Sequence, residues 1–243
     1  MQAWKWQPVE RAILRAVALQ VRLMTLDQIA RIWFSNAPAP NESARDAVRR
    51  LEDAALLRRQ IVEAHPLLPL EEPLLTWTPQ DRFPSPEEFQ DVSRIAIGRW
   101  ELAERSVEVF LATRETCHLF GDFRSTSSTK PCEATHDLHV AEVFLCYSRR
   151  HAASSANWLG EAAFPKLGFE IRRMKDPDAF IVDADGSIQR VVEFAGKYNV
   201  EHLEALHHHC AGQGHDRIAR SVQKAGGQLS RLYSPSGTDY EIW

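Results

Sequence analysis

Two groups of side chains in this 243-residue chain have types and spacing that could do chemistry. The first is arginine. Arg45, Arg49 and Arg50 fall on one predicted helix, and Arg58 and Arg59 follow directly after it. A guanidinium pairs bidentately with guanine edges and binds phosphate oxygens, so Arg-x-x-x-Arg-Arg on a helix suits duplex DNA. Asp46, Glu52 and Asp53 dilute that charge, and the competing reading is a solvated helix face on a domain that binds protein. The second group is Glu201 to Cys210, with His207, His208, His209 and Cys210 in sequence. Imidazole and thiolate at His207 and Cys210, three apart on a helix, could ligate Zn²⁺. No helix turns three consecutive histidines onto one ion, however, and partner ligands at standard spacing are missing. The alternative is a helix end whose imidazoles sit near the last carbonyls, with Gly212 terminating it. No bound metal is expected there.

The elements that position the arginines can be read from periodicity. Val9 to Val21 places Ile13, Leu14, Val17 and Val21 on one helical face. Thr25 reads as the N-cap of a helix over Leu26 to Phe34, with Ile29, Ile32 and Trp33 as its buried stripe. Asn36-Ala-Pro-Ala-Pro40 cannot continue it, because proline lacks the amide donor and disturbs the residue before it. A third helix begins at Asn41 or Ser43 and runs to about Leu57, with Val48, Leu51 and Ala55 inward and Arg45, Arg49 and Arg50 outward. Leu57 to Val62 and Leu74 to Thr78 then read as two strands around a proline-rich loop. Helix, helix, arginine-bearing helix and β-ribbon is the order of a winged helix-turn-helix, in which the third helix enters the major groove and the wing contacts the backbone.

Charge supports an asymmetric arrangement. Residues 1–60 carry 10 basic and 6 acidic side chains, whereas the remaining 183 carry 19 and 27, so a basic head precedes an acidic body although the chain as a whole is at −4. A hydrophobic fraction of 44% and a charged fraction of 26% exclude global disorder. The longest apolar runs, such as Val143 to Tyr147, fall far short of the ~18 residues of a membrane span. The first residues lack a basic region followed by an apolar stretch, and the four cysteines (Cys117, Cys132, Cys146, Cys210) form no CxxC. Reduced thiols and a cytoplasmic, non-membrane protein are expected.

Beyond the head, Pro79 to Pro86 reads as a loop with three prolines, and Pro86 to Ile97 as a helix. Trp100 onward is amphipathic to about Arg105, Val107 to Ala112 fits a strand or a continuing helix, and Asp122 to Glu133 an exposed loop. From Thr135 the pattern becomes α/β. A helix opens at His136 with Val140, Val143 and Phe144 on one face. Gly168 to Arg173, Pro177 to Asp183 and Gln189 to Lys197 read as strands, the last two joined by an Asp185-Gly186 hairpin turn. A helix from Val200 to about His209 and a strand Tyr240 to Trp243 complete the pattern.

Helix, three-stranded meander, helix and strand, with Pro177-Asp178 on one strand and Glu193 on the next, resembles the core of the PD-(D/E)xK nucleases. The resemblance implies two carboxylates, Asp178 and Glu193, holding Mg²⁺ beside the scissile phosphate, with Glu142 as the helix-borne acid that some members use. The family's lysine position is Ala195 here; Lys197 lies two residues further and on the same face if the strand continues. Without that lysine the expectation leans towards a fold that does not cleave, with no cofactor; Mg²⁺ enters only if Glu142, Asp178, Glu193 and Lys197 form an active site. The head, His136-Asp137-Leu138, Val140-Ala-Glu-Val143, Pro177-Asp178-Ala and Val191-Val-Glu193-Phe together resemble the replication-relaxation proteins of bacterial plasmids and integrative elements. That resemblance implies DNA-associated work in replication, transfer or regulation.

The expected architecture is therefore α+β: a winged helix-turn-helix over 1–80, a helical connector with a polar loop over 81–134, and a restriction-endonuclease-like α/β domain over 135–243. The expected function is sequence-specific binding of double-stranded DNA by a homodimer, through Arg45, Arg49, Arg50, Arg58 and Arg59. A Mg²⁺-dependent endonuclease and a protein-interaction adaptor are the alternatives.

Overall fold

The computed structural model describes residues 6–120, 131–150, 157–161, 163, 177–212 and 237–243. In chain order the first elements are α1 (Pro8–Arg15), a π-helical turn (Ala16–Gln20), α2 (Leu26–Trp33), α3 (Pro40–Asp53), β1 (Leu57–Ala64), β2 (Leu75–Trp77) and α4 (Pro86–Gly98). There follow β3 (Arg105–Ala112), α5 (Arg114–Leu119), α6 (Pro131–Arg150), β4 (Trp158–Gly160), β5 (Ala179–Val182), β6 (Ile188–Glu193), α7 (Val200–Cys210) and β7 (Asp239–Ile242). Among the described residues the fold is mixed α+β with two sheets. No helix among the described residues is long and apolar enough to cross a membrane.

The chain divides into two compact units, residues 1–67 with 104–170 and residues 68–103 with 171–243. These bounds differ from the consecutive 1–80, 81–134 and 135–243 expected from composition. The cause is strand pairing. β1 pairs antiparallel along its whole length with β3, from Leu57 opposite Ala112 to Ala64 opposite Arg105. The strand expected over Leu74–Thr78 does form, as β2, but its partner is β7. The β-ribbon after α3 is thus closed by β3, which lies beyond both β2 and α4, and not by the next strand in sequence.

In the first unit α2 is capped as its sequence indicates. The Thr25 Oγ1 accepts from the Gln28 backbone N–H at 3.1 Å, and the Gln28 Oε1 accepts from the Thr25 N–H at 3.0 Å. The first helix is shorter than its apolar periodicity, because it widens into the π turn after Arg15. That turn leaves the Gln20 carbonyl to accept the Trp158 indole N–H at 2.8 Å. Gly160 packs so closely on the same carbonyl that a Cβ would lie 2.2 Å from the oxygen, which only glycine permits. Between α1 and α2, Met24 bridges Phe110 of β3 through two backbone bonds, 2.8 and 3.1 Å long. Leu23, Val62, Ala64, Val109, Leu111, Ala134 and Leu138 form a core in which α6 closes over the ribbon. The helix expected from His136 starts earlier, at Pro131, and packs on α2 and β1.

The most connected polar group of this unit joins α2 to α6. Arg31 donates two parallel bonds to the buried Glu142 carboxylate, at 2.7 and 2.8 Å, and the fully buried Gln28 amide donates to Glu142 Oε2 at 3.1 Å and to the Leu138 carbonyl at 3.0 Å. A bidentate guanidinium and a side-chain amide together fill the acceptors of a buried carboxylate.

Two details of the stripe differ from expectation. Ile32 and Trp33 are only half buried. Ala55, expected inward, is exposed and adopts a left-handed conformation at φ 58°, because α3 ends at Asp53 in a Schellman-type turn with the Leu56 N–H donating to the Leu51 carbonyl at 2.9 Å.

In the second unit β5 and β6 form the expected antiparallel hairpin, Ala179 opposite Val192 and Phe180 opposite Val191. Gly186 takes φ +79° in its turn, and Asp183 Oδ1 accepts from the Asp185 and Ser187 backbone N–H groups, both at 2.9 Å. β7 then lies parallel to β6, Val191 opposite Tyr240, and antiparallel to β2, so these strands run in the order β2, β7, β6, β5. α7 is capped by Asn199 and packs against α4, which opens with a Ser85–Glu88 capping box. The segment Trp100 to Glu104 has no regular structure. The strand expected over Gly168–Arg173 and most of the loop expected over Asp122–Glu133 lie outside the described residues.

Two stability measurements follow. Replacing Ala55 by glycine removes the steric cost of a left-handed alanine and should raise the denaturation midpoint by the equivalent of about 0.5–1 kcal/mol. Glu142→Ala removes the bidentate partner of Arg31, which keeps only Asp27, and the partner of one Gln28 N–H, and should cost about 2–4 kcal/mol, part of it regained when Arg31 is replaced by methionine in the same chain.

Candidate functional site

The third-helix arginines divide into two classes. Arg45 and Arg49 stand one turn apart on the exposed side of α3, and neither has an ion pair or side-chain hydrogen bond among the described residues. Arg50 is committed elsewhere: its Nε donates at 2.7 Å to Glu10, a buried acid of α1, and so ties α3 to α1. Arg59 is likewise engaged. It forms a two-pronged pair with Glu52 at 2.8 and 3.1 Å, reaches Glu108 at 3.2 Å, and lies 5.6 Å above the Phe110 ring centroid. Those bonds raise its pKa further above the usual arginine value, the Glu52 hydrogen bond most of all. Arg58 is half buried and donates to the neighbouring Gln60 at 3.1 Å. Of the five arginines expected to meet DNA, the structure leaves Arg45 and Arg49 open on α3, and binds Arg50 and Arg59 into the unit itself.

Asp178 and Glu193 are brought together, but as a reciprocal staple between neighbouring strand ends. Glu193 Oε2 accepts the Asp178 backbone N–H at 3.2 Å, and Asp178 Oδ2 accepts the Phe194 backbone N–H at 2.7 Å. The Tyr198 hydroxyl donates to the other Glu193 oxygen. Glu193 is buried, not the solvent-facing strand charge that its polarity suggests. Ala195, in the place where the nucleases carry lysine, is fully buried, and its N–H donates to the Trp243 carbonyl at 3.0 Å. Lys197 does not share the Glu193 face, because the strand ends at Glu193 and side-chain alternation ends with it. Its ammonium rests 5.7 Å from the centroid of the Trp100 ring. Glu142 belongs to the first unit, and its carboxylate accepts from Arg31 and Gln28. Tyr198 is the member of the cluster that the sequence did not reveal; it stands in the irregular segment after β6, where no periodicity points inward.

His207 and Cys210 face the core of the second unit. His207 is fully buried in a box of Trp77, Phe83, Phe89 and Tyr240, with ring centroids 4.2–6.1 Å away, and its Nδ1 is 3.0 Å from the Tyr240 hydroxyl. Cys210 is buried as well, and burial drives its thiol far above the ordinary range. Among the described residues no three of His, Cys, Asp and Glu are grouped as a metal site requires. Burial, aided by the neighbouring His208, lowers the His207 pKa from 6.5 to about 4. The unfolded chain therefore binds a proton there that the native protein refuses between pH 6.5 and 4. The contribution of His207 to stability is complete above pH 6.5 and falls as pH drops towards 4, by an amount on the order of 2–3 kcal/mol. His207→Phe, which retains the box, should flatten the decline of the urea midpoint between pH 6.5 and 4 relative to the native chain.

Among known proteins, the chain matches no family model, no curated protein and no solved structure.

Proposed function

We propose that the protein binds double-stranded DNA through α3 and the β1–β3 ribbon and does not cut it. The observation that carries this reading is the open pair Arg45 and Arg49: two guanidinium groups one helical turn apart on one exposed face, while Arg22, Arg31, Arg50 and Arg59 all hold carboxylates. A further support is the order of elements. Helix, a bridge at Met24, helix, helix and a strand, with a second antiparallel strand supplied from beyond β2 and α4, is consistent with a winged helix-turn-helix in which α3 would be the recognition helix. Bidentate pairing of either arginine with guanine, or a bond to phosphate, accounts for binding, and Arg58 at the base of the ribbon adds a backbone contact. Two such heads in a homodimer would read an inverted repeat with centres about one or two turns apart. The resemblance to replication-relaxation proteins adds a role in regulating a plasmid or mobile element. Against cleavage stand the burial of Glu193, its bonds to Tyr198 and the Asp178 N–H, and alanine at 195.

Fluorescence anisotropy tests this reading with duplex taken from just upstream of the protein's own coding sequence, against scrambled duplex of equal length. Arg45→Ala and Arg49→Ala should each weaken binding about tenfold, or lower the slope of log K against log salt by about one, without changing thermal stability. Arg50→Ala should instead destabilise the fold, since it abandons the buried Glu10. Failure to bind duplex even at low salt transfers the exposed α3 face to a protein partner. Cutting that requires Mg²⁺ and is lost in Asp178→Ala establishes the endonuclease alternative.

A further inference from the structure

Among the described residues of the second unit, Arg99 and Lys197 are cations that no carboxylate answers. Arg99, the residue that caps α4, is half buried, with its guanidinium carbon 5.4 Å from the Phe194 ring centroid and its Nη1 buried without a hydrogen-bond partner among the described residues. Burial lowers its pKa from the ordinary arginine value, and no neighbouring acid offsets the loss. Three residues beyond Phe194, the exposed Lys197 holds its ammonium over Trp100, the residue after Arg99. The contacts are crossed: the cation of each segment lies on the aromatic ring of the other. Both cations therefore belong to one junction between residues 98–100 and 194–197. Gly196 backs the same junction, a Cβ there lying 3.5 Å from the Trp100 ring. Among the described residues no acid forms an ion pair with Arg99 or Lys197. Asp178 and Glu193 accept from the Phe194 and Asp178 N–H groups and from Tyr198, and the exposed Glu101 forms no ion pair with either cation.

We propose that the junction of Arg99 and Trp100 with Phe194 and Lys197 binds a phosphate oxyanion, Arg99 supplying N–H donors and Lys197 a second charge at the rim. A guanidinium partly removed from water, with one nitrogen buried and unpartnered, is costly, and an anion that completes its hydrogen bonds recovers that cost on binding. Arginine provides a planar fork of donors matched to phosphate, and the aromatic rings shield the cations from water without competing as acceptors. Two sources share this chemistry, the backbone of a nucleic-acid strand and free phosphate. The site does not depend on the α3 reading.

Binding is measured on the full chain at low salt with two probes, a labelled oligothymidylate of about 12 nucleotides by anisotropy and inorganic phosphate by calorimetry. The expected result is binding of at least one probe, weakened about tenfold by Arg99→Gln and by Lys197→Gln and unchanged in the Arg45→Ala, Arg49→Ala double variant. That last variant separates this site from α3, because it removes the duplex contact and leaves this junction intact. Oligonucleotide binding that needs Arg99 and Lys197, without phosphate binding of its own, assigns the strand backbone as ligand; phosphate binding of its own assigns the free anion. Arg99→Gln removes an unpaired charge and should leave thermal stability unchanged or higher. If it fails to fold, Lys197→Gln at the exposed rim carries the test. Absence of binding by both probes, or binding indifferent to both substitutions, overturns the proposal.

Discussion

The buried carboxylate of Glu142 is the constraint around which the first unit is organised. A charge at that depth is tolerable only if its acceptors are filled, and three donors from Arg31 and Gln28 fill them. Those donors sit on consecutive turns of α2, so satisfying one carboxylate fixes both the position and the rotation of that helix against α6. Gln28 has a second task in the same place, since its carbonyl oxygen closes the capping box that starts α2. Arg22 repeats the arrangement one segment earlier, reaching Glu133 at 3.2 Å and Asp137 at 3.5 Å on α6. With α2 anchored on one side, α3 is held by apolar packing and by the Arg50–Glu10 pair, and its remaining side faces solvent.

Internal pairing in this way sorts the arginines. Each one that answers a buried or partly buried acid is withdrawn from any external ligand, because breaking the pair would expose an uncompensated charge. Arg45 and Arg49 are left on the outside not through higher charge density but because no acid of α1, α2 or the ribbon reaches them. The same logic applies in the second unit, where Arg99 and Lys197 rest on aromatic rings in place of carboxylates.

Asp178 and Glu193 show how a pattern typical of metal chemistry can serve backbone geometry. Each carboxylate accepts a main-chain N–H from the other's neighbourhood, at the point where β5 begins and β6 ends. Main-chain donors at strand ends have no ladder partner, and burying them unsatisfied is costly. The pair thus answers a local need of the hairpin, with Tyr198 as the third member.

Local information determined much of this protein. The Thr25 cap, the proline break before α3, the Asp185-Gly186 turn, the helix after Asn199 and the final strand are all decided within a few residues, by capping oxygens, missing amides and backbone preferences, and they formed where the pattern placed them. The helical face of Ile13, Leu14, Val17 and Val21, and that of Val140, Val143 and Phe144, is buried as the periodicity requires. What only the tertiary structure decided is pairing at a distance. Nothing local in Leu57–Ala64 selects Arg105–Ala112 over Leu75–Trp77, because strand ladders are made by backbone groups that every residue carries. Nor does a charged residue declare in sequence whether its partner is solvent, an acid a hundred residues away or a ligand. Arg31, Arg49, Arg50 and Glu142 look alike as solvated helix charges, and their separate roles exist only once the helices are packed.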